Sequence, residues 1–332
     1  MNHNYNTYYI SLVEFDYSRS ATFLNNEASN KIIIAGHLFS KFKKIRKLVK
    51  LQNRNNTIFV VMSPSHQLTI LLRIAGANKI VLDAGWPLSD STSAKINIVN
   101  ILRKISNYLI DFLSFKISKL ILLESPEQVL YTSKKFLTSK KKLVFIYTGL
   151  QKNRFTDNPI RPVEVPADFE KGKYILFRGK SNKEAGIEAI IEHFEKTQAG
   201  SKLVVATNRK FNGETLKNTI VISRHLSNPE INWLYVNCQS TLGQFGASKR
   251  LRRTIPHKFF ESVYFGVPYI TPKQPPILRI LGENYPFWIS NIEELSASKY
   301  LIQYNYPQNV LKLTDSDSLK LFFDTTIASL YK

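Results

Sequence analysis

Short apolar runs alternate with amphipathic stretches along almost the whole chain, and this alternation limits the folds open to it. Runs at 8–13, 31–35, 57–62, 79–82, 119–123 and 143–147 read as strands, and residues 18–26, 39–51, 67–75 and 94–119 between them carry helical spacing. The pattern restarts at 174–179 and continues through strands at 202–206, 219–222, 240–244 and 267–270. Helices are expected at 187–196, 228–236, 275–281, 292–303 and 316–330, with a further short strand at 287–289. Strand–helix alternation predicts parallel sheets flanked by helices. Between the two series, residues 150–172 hold Pro159, Pro162 and Pro166 among charged residues, which reads as a linker. The expected division is an N-terminal domain over 1–155, a C-terminal domain over 156–315, and a last helix over 316–332 that packs back on the first domain. No repeat of 20–50 residues is visible.

With 332 residues, 43% of them hydrophobic, the chain can bury two cores. Its single cysteine, Cys238, excludes an internal disulfide framework and fits a reducing compartment. The six histidines are scattered without metal-ligand spacing, and the one Asp-x-Asp, Asp315-Ser316-Asp317, falls at the start of the last helix, where it reads as helix-capping residues and not as a metal motif. No metal site and no cofactor are therefore expected. Residues 1–6 are polar and do not read as a signal peptide, and no run of eighteen apolar residues predicts a membrane-spanning helix.

Charge is the strongest compositional bias. Lys and Arg number 46 against 25 Asp and Glu, a net +21, so an anionic partner is expected: nucleic acid, an acidic membrane face or a phosphorylated substrate. Residues 39–51 form a basic amphipathic helix with Lys41, Lys43, Lys44, Arg46, Lys47 and Lys50 beside an apolar stripe. Such a helix suits an anionic membrane surface, and equally a solvated face. Nucleic acid is the less favoured partner, because the basic residues are dispersed and no reading motif is present.

Several residues stand where an open α/β sheet presents ligands, beyond the C-terminal ends of strands. In the first half these are His66 and Asp83, with Trp86 beside Asp83 able to lie flat on a sugar ring. In the second half, the strand 174–178 enters Arg178-Gly179-Lys180-Ser181-Asn182-Lys183 ahead of a helix, a pattern suited to cradling a diphosphate. Residues 245–254 add Lys249, Arg250, Arg252 and Arg253, and arginine offers bidentate contact to phosphate. Residues 255–270 then combine Pro256 at a helix start with Lys258 and Glu261 three residues apart, and Gly266 at its end. Alone, that pair reads more readily as an ordinary solvent-exposed ion pair on an amphipathic helix.

Pro256-x-Lys258-x-x-Glu261 followed by Gly266-x-Pro268 resembles the nucleotide-sugar helix of the group-one glycosyltransferases. The basic turn at 178–183 is similar to that family's strand-Gly-Arg/Lys turn, and Asp16-x-x-Arg19 resembles its N-terminal start. The resemblance covers most of the second domain and the outline of the first. It implies two Rossmann-like domains facing a cleft, the GT-B fold. It also implies transfer of a sugar from a nucleotide-diphosphate sugar to a glycan or lipid-linked acceptor, at the inner face of the cytoplasmic membrane. Glu261 would hold ribose, while Lys180, Lys183 and Lys258 would hold phosphate with Arg178 and Gly179. Asp16, Arg19, His66 and Trp86 would face the acceptor, with Asp83 as an acceptor-side base. The family's usual earlier Glu, eight residues before Glu261, is Arg253 here; Arg253 is expected to add a phosphate contact. That departure leaves open retention of anomeric configuration and whether the chain only binds the donor.

Overall fold

A computed structural model describes residues 6–15, 18–24, 30–52, 56–90, 97–151, 154–155, 158–167, 172, 174–197, 201–208, 216–295 and 304–331. The chain divides into two compact units, Met1–Thr148 with Ser316–Lys332, and Gly149–Asp315. The division falls before the expected residue 155 because Phe155 belongs to the second unit's core, its ring against Tyr264 and Phe265.

In the first unit, strands and helices follow one another as β1 (Asn6–Ser11), α1 (Ser18–Phe23), β2 (Lys31–Ile33), α2 (Leu38–Leu51), β3 (Thr57–Met62) and α3 (Gln67–Ile74). Then come β4 (Lys79–Gly85), α4 (Ile98–Ile117), β5 (Leu120–Leu123), α5 (Pro126–Lys135) and β6 (Leu143–Phe145). Six parallel strands lie in the order β2-β1-β3-β4-β5-β6. The central strands are apolar on both faces because both faces are covered. In β3, Phe59 and Val61 point into one core with residues of α2, α3 and α4, while Ile58, Val60 and Met62 point into the other. In β5, Ile121 and Leu123 join the first core, Leu120 and Leu122 the second. Helix starts are capped as their residues predict. Asn97 accepts from the Asn100 amide and Ser125 from the Gln128 amide.

The second unit contains β7 (Tyr174–Arg178), α6 (Ile187–Lys196), β8 (Lys202–Ala206), β9 (Thr219–Ile222), α7 (Asn228–Asn237) and β10 (Ser240–Leu242). It continues through α8 (His257–Tyr264), β11 (Tyr269–Ile270), α9 (Pro275–Leu281) and α10 (Gln308–Leu311). Its five parallel strands run β11-β10-β7-β8-β9, so the winding direction reverses between β7 and β10. Residues 287–289 make only a single bridge, Trp288 to Thr271, and not the expected strand. Of the helix expected at 292–303, a 3-10 turn forms over Ile292–Glu294, and residues 296–303 lie outside the described residues.

The last helix, α11 (Ser316–Ala328), belongs to the first unit. Its Leu319, Phe323 and Ile327 complete the second core beside Val60 and Met62, and Phe323 stacks on Phe23 with ring centroids 4.6 Å apart. Among the described residues no helix is long and apolar enough to cross a membrane.

Candidate nucleotide site

The reversal between β7 and β10 places a crevice at the C-terminal ends of the second sheet, where open α/β sheets bind ligands. The loop after β7 reaches this edge through Arg178, Gly179 and Lys180. It is locked to the loop after β10 by hydrogen bonds from the Phe245 amide to the Ala185 carbonyl and from the Gly246 amide to the Glu184 carbonyl. The approach is so close that a Cβ on Gly246 would lie 1.8 Å from the Lys183 carbonyl oxygen, so only glycine fits there.

Helix α8 supplies the charged centre. Glu261 is fully buried. Its carboxylate takes Nη1 of Arg178, 2.6 Å from Oε1, the Tyr235 hydroxyl at 2.7 Å on Oε2, and His257 Nδ1 at 3.2 Å. Burial alone would raise the Glu261 pKa, but Arg178 and His257 outweigh it and hold the carboxyl well below the usual range. Arg178 keeps a 21% exposed side chain, so its guanidinium is anchored on one side and open on the other. Lys258 lies 5% exposed, its Nζ 2.8 Å from the Gly243 carbonyl and 3.5 Å above the Phe177 ring centroid. Burial, reinforced by nearby Arg178, pushes its ammonium pKa well down against the pull of Glu261.

Two hollows open at this edge. The first, about 430 Å³, is lined by Arg154, Arg178, Gly179, Lys180, Asn208 and Arg224, with Leu226 and Ile231 as an apolar wall. A larger one, about 730 Å³, lies past β10 and β11 and is bordered by Gly246, Lys249, Arg252, Lys273 and Gln274. The smaller carries the nucleotide-binding argument, because it holds the basic turn and falls in the size range of small-molecule sites, roughly 300–1,000 Å³. Arg224 is committed to Glu164 and Glu230. Arg178 and Lys180 of the turn, together with Arg154, therefore carry the positive charge that the hollow offers a ligand.

Several expected roles change. Both oxygens of Glu261 are engaged within the protein, so the carboxylate orients Arg178 and does not present itself to ribose. Lys258 ties α8 to the end of β10 and lines neither hollow. Lys183 is exposed, lines neither hollow, and contributes its backbone to the junction with Gly246. Arg253 is half-buried, donates to the Lys249 carbonyl and likewise lines neither hollow.

The first unit departs further. Arg19 and Asp83 are both fully buried and face each other: Nη2 lies 2.6 Å from Oδ1, and Nε 3.0 and 3.2 Å from the two oxygens. Nη1 of Arg19 donates to the Ile146 carbonyl at 2.8 Å. Asp83 is thus the inward counterion of Arg19, not an acceptor-side base, and Arg19 ties α1 to β4 and the segment after β6. His66, also expected at the surface, is fully buried with its ring edge-on to Phe115. Burial lowers its pKa to about 4, with the Trp86 and Pro64 backbone opposing weakly. Its Nε2 lies 3.9 Å from Asp111, whose carboxyl accepts the Leu88 and Ser89 amides and is raised to about 6 by burial. Trp86 is half-buried, and Asp16 lies outside the described residues.

Tyr235, His257 and Arg154 were not singled out from the sequence. His257 had a usable signal, standing four residues before Glu261 on one helix face. Tyr235 had none, since it sits in an apolar helix and only the tertiary fold brings its hydroxyl to Glu261.

No family model matches the sequence, and no curated protein does. Solved structures do match. HepE of Anabaena, in complex with UDP and glucose, superposes with a TM-score of 0.69 at 9% identity, over 98% of this chain and 100% of that one. The UDP-forming alpha,alpha-trehalose-phosphate synthase of Burkholderia vietnamiensis gives 0.61 at 10% identity, over 88% of this chain and 76% of its own. Both are GT-B glycosyltransferases, and the present chain has the GT-B fold with two Rossmann-like units.

Proposed function

We propose that this protein transfers a sugar from a nucleoside-diphosphate sugar, with the nucleotide held in the hollow beyond β7, β8 and β9. The observation that carries the proposal is Arg178, fixed by the buried Glu261 and open to a cavity it shares with Lys180. Breaking a glycosidic bond to a diphosphate leaves negative charge on the departing phosphate. Preorganised cations stabilise that charge as it develops. Arg178 and Lys180 supply them, which supports transfer without a divalent metal. The apolar wall of Leu226 and Ile231 suits a base, and the structures of HepE with UDP and with UDP-glucose support uridine. The acceptor we assign is a glycan or lipid-linked saccharide met at an anionic membrane face, because the first unit carries a basic helix layer.

A narrower reading, donor binding without transfer, is favoured by Arg253 standing where the resembling family has Glu. Calorimetric titration with UDP and UDP-glucose tests binding, and release of UDP from UDP-glucose in the presence of a chelator tests turnover. Failure of UDP to bind would overturn both readings. Binding without any UDP release, with lipid-linked saccharide supplied, would leave only the narrower one.

A further inference from the structure

The helix layer α2–α3–α4 buries one side against the first sheet. What it leaves outside is unusual for a soluble surface. From Ile98 to Ser106, no residue of α4 is buried. Ile98, Leu102, Ile105 and Leu109 follow one another at spacings of four, three and four, which makes a single aliphatic edge along the helix. Ile98 is 74% and Leu102 61% exposed, and Val99, Ile101 and Leu113 widen the edge. Only the far half of α4 is anchored, through Asp111, Ser114 and Phe115. The same layer exposes Leu38, Phe39 and Leu51 on α2 and Ile74 on α3. The aliphatic edge along α4 is an exposed apolar surface of the kind that marks an interaction site.

Charge narrows the occupant. Helix α2 carries Lys41, Lys43, Lys44, Arg46, Lys47 and Lys50, α3 carries Arg73, and α4 carries Arg103, Lys104 and Lys116. The layer's sole carboxylate is Asp111, which is fully buried. A second copy presenting the same face would be repelled. Nucleic acid matches the charge but offers nothing for a row of aliphatic side chains to enter. An acidic bilayer satisfies both, with phosphate headgroups for the lysines and acyl chains for the isoleucines and leucines.

We infer that the α2–α3–α4 face docks on an acidic phospholipid bilayer, and that the aliphatic edge of α4 enters the acyl region while the α2 lysines engage the headgroups. The inference deepens the membrane placement proposed above and does not draw on donor binding. Two attachments of different physical kind follow. Salt screens the headgroup contacts within a Debye length, about 10 Å at 0.1 M, but leaves apolar insertion in place.

The test uses the full chain with vesicles of phosphatidylglycerol and phosphatidylcholine, against phosphatidylcholine alone. The wild type should sediment with the acidic vesicles, and part of that binding should survive high salt. Replacing Ile98, Leu102, Ile105 and Leu109 together by Gln should cut sedimentation at least tenfold and remove the salt-resistant part. All four side chains are exposed, so the variant should retain its circular dichroism and its UDP titration within twofold. Leu102→Cys, labelled with an environment-sensitive fluorophore, should shift to the blue on acidic vesicles; Cys238 is buried and escapes the label. The inference falls if the fluorophore does not shift with vesicles or the Gln variant sediments like the wild type. It falls equally if the blue shift appears without lipid together with a doubled mass, which would assign the edge to a second copy. A wild type that fails to bind UDP, yet sediments as described, would remove the donor reading and leave the docking surface standing.

Discussion

Each unit buries a carboxylate against an arginine, and the two pairs serve different ends. Arg19 and Asp83 are both shut off from water, with Arg19 also bound to a carbonyl across the sheet. Glu261 is equally buried, but Arg178 is not, and it leans into a cavity lined with a second cation. A pair closed on both sides has no capacity left for a ligand and acts as a staple. A pair closed on the carboxylate side alone holds a cation ready for an anion. The second unit also shows a buried Lys258 at low pKa, while the first shows Asp111 buried without an arginine at all. Burial, then, does not distinguish site from scaffold; the exposure of the cationic partner does.

Breaking the closed pair should give the largest effect. Asp83→Asn leaves a buried guanidinium without its counterion and should cost about 3–5 kcal/mol of stability, read from the urea midpoint of the first unit. A loss below about 1 kcal/mol would show that Arg19 reaches water after all.

The carboxylate without an arginine should show itself through pH. Asp111, raised to about 6, binds its proton more tightly in the folded chain, so its contribution is lost as pH rises through 6. His66, lowered to about 4, does the reverse: folding stability rises with pH between about 4 and the ordinary histidine value of 6.5. The two trends oppose each other from pH 4 to 6 and should leave the wild type nearly flat there. Asp111→Asn removes one of them, so the variant's stability should climb by about 3 kcal/mol from pH 4 to 6.5. Thermal unfolding followed at half-unit pH steps would show it; a flat profile in the variant would mean that His66 is not held neutral.

Glu261→Gln sharpens the comparison directly. Arg178 can turn toward solvent, so stability should fall less than for Asp83→Asn, while UDP affinity should drop by roughly 1–3 kcal/mol. Equal stability losses in the two variants, with UDP binding intact, would erase the distinction between staple and site. Lys180→Ala removes an exposed cation and should weaken UDP by about 0.5–1 kcal/mol, with no change for uridine. Lys258→Met is the smallest expected change. Lys258 lies out of both hollows, so UDP affinity should hold within twofold, and unfolding should stay within about 1 kcal/mol because the costly buried amine is gone. A large affinity loss there would return Lys258 to the phosphate.

Most of the fold could be read directly from the sequence. The runs at 58–62 and 120–123 are apolar at every position, as a strand covered on both faces requires, and both belong to inner strands of the first sheet. Residues 287–289 are equally apolar but fail as a strand, because they pair with one residue alone: the Thr271 amide donates to the Phe287 carbonyl and the Ile289 amide to the Thr271 carbonyl. The candidate site was legible to the level of segments. The turn at 178–180 and helix α8 do meet, as the sheet's reversal requires. Which way each charge faces was not legible: Arg19 and Asp83 lie 64 residues apart, and nothing local to either marks the other as its partner. Likewise the spacing of Lys258 and Glu261 suggested a pair, whereas the fold gives Glu261 to Arg178, 83 residues away.

The last helix carries a consequence for how the protein is made. Leu319, Phe323 and Ile327 close a core whose other walls are laid down before residue 149. On the ribosome, the first unit therefore emerges with Phe23, Val60 and Leu122 uncovered on one side. It waits while the whole of the second unit is synthesised, roughly ten to thirty seconds at ordinary elongation rates. During that interval the usual order of events is inverted: the second unit, translated later, can finish first. The N-terminal unit needs a chaperone's shelter or must tolerate an open apolar face until its final helix arrives.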